Sequence, residues 1–224
     1  LAQSHVSSGP AMADVLDKLM SLEIVQKRAP INDPTNKRKS GYFVVDPLSL
    51  FYYRYVFRNA SARQLLDPEV FYDRHVSQDF EENYVPHMFE EICRQYLVRQ
   101  NRTGKIEPAF DAIGKYWYDD PANKTSGEFD VVTQDPEGYA FYEAKFRKSP
   151  VTQKMVDEEI TQVEATGLKC HRYGFFSRSG FEAGKSDRTV FIDLPHSKHS
   201  LSNRTIVRWI SCWLESSVGW AMLP

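Results

Sequence analysis

The sequence predicts an α/β fold: a mixed sheet flanked by helices and preceded by a partial winged helix. Residues 127–132 and 142–146 read as two strands separated by the turn residues Asp135-Pro136-Glu137-Gly138. Met155, Val156, Ile160 and Val163 then mark a crossover helix ending at Gly167. Further strands follow at residues 170–176 and 189–194, with the turn Ser177-Arg178-Ser179-Gly180-Phe181 between them. The order helix, hairpin, helix, strand, strand is that of a mixed sheet covered by helices.

The front of the chain, to about Asn59, reads as a separate unit. Ser8-Gly9-Pro10 is a helix start signal, and Met12, Val15, Leu16, Leu19 and Met20 repeat at helical spacing. Ile24-Val25 and Tyr42-Phe43-Val44-Val45 read as strands around a polar loop that carries Lys37, Arg38 and Lys39. Helix, strand, basic loop and strand make the second half of a winged helix. Asp14, Asp17 and Lys18 on its helix form a poor surface for a polyanion, so the basic loop is expected to be solvated.

Residues 48–57 are aromatic on several sides (Phe51, Tyr52, Tyr53, Tyr55, Phe57), the pattern of a helix buried between layers. Residues 59–76 read as a polar connector with some helix. A helix over 80–100 carries the stripe Val85, Phe89, Ile92, Cys93 and Tyr96, with Glu90 and Glu91 off the stripe. A terminal helix is expected over 204–222, from Ile206, Ile210, Trp213, Leu214 and Val218.

Composition limits the class. The chain has 224 residues, 42% of them hydrophobic, and a net charge of −2, values typical of soluble globular material. Any nucleic-acid contact must therefore come from local patches. Cys93, Cys170 and Cys212 form no Cys-x-x-Cys pair, which points to a reducing, cytoplasmic setting and away from disulfides or zinc. His196 and His199 fall in a polar stretch and read as loop residues. No apolar run reaches the roughly 18 residues of a membrane span, and no secretory signal opens the chain. The first residue is Leu1 rather than Met, as expected of a fragment.

The chemistry concentrates in Glu128-Phe129-Asp130 and Glu143-Ala144-Lys145. Residues two apart on a strand share a face, so Glu143 and Lys145 project together while Ala144 faces the other way. Asp130 lies on the preceding strand of the hairpin, and Glu128 two residues earlier is able to share its face. Two carboxylates offer hard oxygen ligands to Mg²⁺ or Mn²⁺, and a neighbouring ammonium orients or acidifies a metal-bound water. This is the constellation of the PD-(D/E)xK nucleases. Lys115, Lys124, Arg147 and Lys148 surround it in sequence, as either backbone contacts or solvated surface.

The chain also resembles the C-terminal part of prokaryotic AAA-type ATPases of the archaeal-ATPase group. The stretches that carry the likeness are Asp46-Pro47-Leu48-Ser49-Leu50-Phe51-Tyr52-Tyr53-Arg54-Tyr55-Val56-Phe57, Phe89-Glu90-Glu91-Ile92-Cys93, Ile113-Gly114-Lys115-Tyr116-Trp117, residues 128–130, Glu143-Ala144-Lys145 and Phe176-Ser177-Arg178-Ser179-Gly180-Phe181. In that group a P-loop ATPase is followed by a winged helix and a further domain. The resemblance implies a partial winged helix at 1–59 and a restriction-endonuclease-like domain at 60–224. It implies Asp130, Glu143 and Lys145 as catalytic residues, with Asp130 and Glu143 as metal ligands. A helix Glu is implied as well, Glu90 by preference with Glu91 as its rival. DNA and the parent chain's ATPase domain are the implied partners. No G-x-x-x-x-G-K-[ST] occurs, so these residues cannot bind ATP by that route. The rival reading is a non-catalytic DNA- or protein-interaction module that keeps the nuclease fold. A winged-helix regulator would need an exposed basic recognition helix, which the sequence lacks.

Overall fold

The computed structural model describes residues 8–36, 38–120 and 125–193. Lys37, Lys124, Leu194, His196, His199, Cys212 and the expected helix over 204–222 lie outside the described residues.

Helix α1 (Gly9–Ser21) begins where the sequence places it. The Ser8 hydroxyl accepts the Ala11 N–H at 3.4 Å, and Pro10 occupies the first turn. None of its side chains is buried. Strands β1 (Val25–Arg28) and β2 (Gly41–Val44) pair antiparallel with Val25 opposite Val44. The loop between them docks on the main sheet. Ile31 N–H donates to the Lys115 carbonyl at 2.7 Å. The Asn32 side chain donates to the Trp117 carbonyl at 2.8 Å and accepts the Trp117 N–H at 3.3 Å.

Helix α2 (Pro47–Phe51), capped by Asp46, runs on through a π turn at Tyr52–Val56 and a 3₁₀ turn at Phe57–Asn59. Three short helices follow, α3 (Ala60–Leu65), α4 (Pro68–His75) and α5 (Ser77–Asp79). A second π turn, Phe80–Tyr84, then leads into α6 (Val85–Arg102). Phe51, Tyr55 and Val56 share one buried cluster with Phe71, Val76, Phe80 and Tyr84, so side chains from both sides of Asn59 pack together. The expected all-round burial of residues 48–57 is corrected: Leu48, Tyr53 and Phe57 are 50%, 56% and 60% exposed. The π and 3₁₀ turns change the angular step per residue, which gathers Phe51, Tyr55 and Val56 on one side. Arg54 grips Asp79 with two bonds of 2.6 and 2.8 Å, and the Tyr55 hydroxyl donates to the same carboxylate at 2.7 Å.

The main sheet is five-stranded and mixed. Strands β3 (Ala112–Asp120), β4 (Thr125–Asp135) and β5 (Gly138–Lys145) form an antiparallel meander. A short strand, β6 (Val151–Thr152), opens α7 (Gln153–Glu164). Strand β7 (Cys170–Ser177) returns parallel to β5. β8 (Phe181–Glu182) pairs with β6, and β9 (Thr189–Asp193) adds parallel to β7. The order across the sheet is β3-β4-β5-β7-β9. This mixed sheet flanked by helices is the architecture the sequence predicts. The β4–β5 turn falls at Pro136-Glu137, before Gly138 at φ +134°.

Among the described residues, α6 packs on one face of the sheet and α7 on the other. Phe89, Cys93 and Leu97 of α6 pack on Val131, Ala140, Tyr142 and Phe176. Val156 and Val163 of α7 pack on Phe129, Val132, Phe141, Tyr173 and Phe175. Burial of each such large side chain contributes roughly 1.5–3 kcal/mol. The α6 stripe differs from expectation by one position: Leu97 is buried, whereas Ile92 is 53% exposed. The i, i+4, i+8 row of Phe89, Cys93 and Leu97 lies flatter on the sheet than a row through Ile92. Among the described residues, no helix is long and apolar enough to cross a membrane.

Candidate functional site

Alternation along β5 sets its chemistry. Ala140 and Tyr142 enter the α6-side core, Tyr139 and Phe141 the α7-side core. Glu143 and Lys145 continue the α7-side row, and Ala144 packs on the α6 side. Lys145 Nζ lies 2.8 Å from Glu143 Oε1 and 2.5 Å from Glu159 Oε1 on α7. All three side chains are mostly covered, at 20%, 25% and 24% exposure.

Asp130 is aimed by a bulge. Gly114 pairs with Val132 and Tyr116 with Phe129, so Asp130 and Val131 together oppose the single residue Lys115. The break in alternation lets Phe129 and Val132 enter the same core while Val131 enters the other. Lys115 Nζ bonds Asp130 Oδ1 at 2.6 Å and Glu128 Oε1 at 2.8 Å, so Glu128 and Asp130 share a face as expected. The β4–β5 pairing ends at Val131 and Tyr142. Beyond it Asp130 lines the α6-side cavity with Lys115, whereas Glu143 bonds Lys145, which reaches Glu159 of α7. The two carboxylates bond different lysines.

The site carries an excess of negative charge. Asp130, Glu128, Glu143 and Glu159 surround only Lys115 and Lys145, a surplus of two carboxylates. Burial pushes the Glu143 carboxyl above its usual range. Lys145 pulls it down, and the charges of Glu159 and Asp130 add to the rise. Burial works against the charge of Lys145, yet Glu143 and Glu159 hold its ammonium above the ordinary value. Lys115 behaves the same way between Asp130 and Glu128.

Helix α6 presents Glu90 and Glu91 differently. Glu91 is clamped between Arg94 at 2.5 Å and Arg28 of β1 at 3.4 Å. Burial works against its charge, but the two guanidiniums outweigh that and hold the carboxyl below its usual range. Glu90 has His87 at 3.5 Å and no guanidinium partner among the described residues. Both line a cavity of about 330 Å³ between β1, the loop after it, α6 and the β3–β4 pair, into which Asp130 also faces. Of the two rivals, Glu90 is the one with an uncommitted carboxylate.

Hard carboxylate oxygens carrying two uncompensated negative charges suit a hard divalent cation. Among the described residues, no three His, Cys, Asp or Glu side chains converge closely enough to hold a metal as they stand. For Asp130 and Glu143 to share an ion, the Lys115 pair must open and the two carboxylates must turn from the α6-side cavity and the Lys145 pair toward one another. Of the flanking cations, Arg147 and Lys148 are exposed. Arg147 donates to Met155 Sδ, and Arg178 stacks over the Phe146 ring at 4.6 Å. Glu159 had no place in the sequence reading. Its signal was an acidic residue at the sheet-facing spacing of Val156 and Val163.

Comparison with known proteins adds a likeness to a family over part of the chain and no activity. A crystal structure of the protein of unknown function AF1548 is 15% identical and superposes with a TM-score of 0.27, covering 47% of this chain and 56% of that one. The uncharacterized protein MJECL04 of Methanocaldococcus jannaschii is 27% identical over 103 residues, 46% of this chain. The match spans 23% of that relative's length. Residues 52–162, from the first π turn through the candidate site to α7, match the family described as archaea bacterial proteins of unknown function (DUF234).

Proposed function

We propose that this chain is a nuclease-like domain that acts on DNA with the help of Mg²⁺ or Mn²⁺, as the C-terminal part of a longer cytoplasmic AAA ATPase. The observation that carries the reading is the uncompensated pair of negative charges where the Asp130 bulge meets the Glu143/Lys145 strand end. A mostly covered Glu whose carboxyl burial raises above its usual range is a poor structural choice, and such groups concentrate at functional sites.

Asp130 and Glu143 are the residues that would hold the ion. When bound, it supplies Lewis-acid stabilisation of a phosphate and a water of lowered pKa. Lys145, fixed from two sides by Glu143 and Glu159, presents an ammonium of set position to the attacking water or to a phosphate oxygen. Lys115 acts as a placeholder cation on Asp130 and Glu128. Glu90 adds a further carboxylate from α6.

One observation favours the second reading, a non-catalytic interaction module. Each strand carboxylate already has its own lysine, and the described acidic groups do not converge in threes. Cleavage assays with Mg²⁺ and Mn²⁺ across junction, duplex, single-stranded and RNA substrates separate the two. The nuclease reading expects metal-dependent cleavage that Lys145→Ala lowers by about 100-fold or more. Failure of the wild-type chain to cut any of them leaves the interaction module.

A further inference from the structure

The 330 Å³ cavity beside the candidate site has a chemistry of its own. Its volume lies at the small end of the roughly 300–1,000 Å³ typical of small-ligand sites. Two aromatic rings, Phe43 of β2 and Trp117 of β3, line it. Neither has an aromatic partner among the described residues, whereas most rings of this chain are packed on others. Four cations line it as well, and one of them, Lys115, is held by Asp130 and Glu128. Arg28 and Arg94 share the carboxylate of Glu91, and Glu90 lines the same wall, so the two guanidiniums there are balanced by two carboxylates. Lys39 pairs with no carboxylate among the described residues. The cavity is built rather than incidental: the Asn32 clasp on Trp117 and the Arg28–Glu91 pair fasten its walls to one another.

Rings without a ring partner, beside a lysine ammonium with no carboxylate and two guanidiniums already fixed in place by Gln26 and Glu91, fit a planar heterocycle joined to a phosphate. We propose that this cavity binds a nucleoside phosphate, with the base against Trp117 and Phe43 and the phosphate on Lys39 and the Arg28/Arg94 pair. The ligand is either a free nucleotide or an unpaired nucleotide of a nucleic-acid strand. The second source rests on the DNA reading above. It would make the substrate a single strand or a frayed end, held with its next phosphate toward Asp130. A base stacked on an aromatic side chain contributes enough for a tenfold or larger change in affinity on removal of the ring.

The test measures binding in EDTA, where cleavage cannot interfere. Labelled probes are dAMP, a 5′-phosphorylated single-stranded dodecamer, and a blunt duplex of the same sequence. The expected result is binding of dAMP, the single strand or both, weakened about tenfold or more by Trp117→Ala and by Lys39→Ala. Trp117→Phe, which keeps a ring and spares the fold, is expected to lose only a few-fold. Binding of the single strand alone identifies the strand as the source, and comparable binding of dAMP identifies a free nucleotide. Absence of binding to both, or affinities unchanged by Trp117→Ala, Phe43→Ala and Lys39→Ala in folded proteins, overturns the proposal. Cleavage by the wild type with unchanged binding in those variants sinks the cavity and leaves the nuclease reading standing. Ring-dependent binding without any cleavage does the reverse.

Discussion

Lys115 Nζ stands 2.6 Å from Asp130 Oδ1 across the β3–β4 bulge and occupies the carboxylate a metal would need. Lys115→Ala should therefore tighten Mn²⁺ binding by roughly fivefold or more, since even a water-screened charge at this range is worth about 1 kcal/mol. Calorimetry without nucleic acid measures it. Unchanged or weaker binding would remove Asp130 from the ion site.

Glu143 sets a pH dependence of definite sign. Its folded-state carboxyl is raised, chiefly by burial, so the fold prefers the protonated form. Stability from this group is fully present below the ordinary Glu value of 4.5 and is lost as pH rises through the raised value. Glu143→Gln mimics the protonated form and leaves Lys145 its bond to Glu159. The variant should match the wild type in melting temperature near pH 4 and exceed it at pH 7–8, without metal. A variant less stable at pH 8 than at pH 4, relative to wild type, would mean that the Lys145 pair outweighs burial.

Gly174 admits the Tyr142 ring. A β-carbon at Gly174 would lie 2.1 Å from Tyr142 Cδ1, inside any tolerable contact. Gly174→Ala must displace a buried ring from between two strands, at about 1–3 kcal/mol. Chemical denaturation should show a lower midpoint with an unchanged slope. A variant as stable as wild type would contradict the close packing on which the position of neighbouring Glu143 depends.

Asp79 carries the acid sensitivity of the α2–α5 cluster. The Arg54 fork, the Tyr55 hydroxyl and Asn83 hold its carboxyl well below the usual range. The associated stability is present above pH 3.8 and is lost as pH falls through the depressed value. Both partners are more than a third exposed, so Asp79→Asn should lower stability at pH 7 by only about 1 kcal/mol. The difference from wild type should shrink progressively as pH falls below 3.8 in an acid titration followed by near-ultraviolet dichroism. A difference that does not change with pH over that range would assign the loss to packing.

The α7-side core and the β4–β5 hairpin were legible because their signals are local. Alternation, turn residues and the i, i+4, i+7 row of Val156, Ile160 and Val163 in α7 need no tertiary information. β3 was not legible as a strand, because Gly114 and Lys115 break its apolar alternation and its identity comes from pairing with β4. The same pairing creates the bulge that aims Asp130, so the sequence named the residue without showing its aim. Glu159 and the cavity rings Phe43 and Trp117 come together only through contacts distant along the chain. The aromatic run at 48–57 misled because its residue types suit burial, whereas the π and 3₁₀ turns decide which of them are buried.

The Asn32 clasp has a consequence in the time domain. Its bonds to Trp117 close a separation of 85 residues, whereas the β4–β5 hairpin closes over a two-residue turn. Loop closure of that length is entropically unfavourable and is repaid only once the strand it grips exists. The meander and its two helices are therefore expected to form a scaffold first and the β1–β2 unit to arrive last. By the same ordering it is the first part to detach in native fluctuations, with amides of Ile31 and Trp117 exchanging ahead of Val132 and Phe176. A molecule built in this order opens its side cavity without disturbing the sheet that holds Asp130 and Glu143.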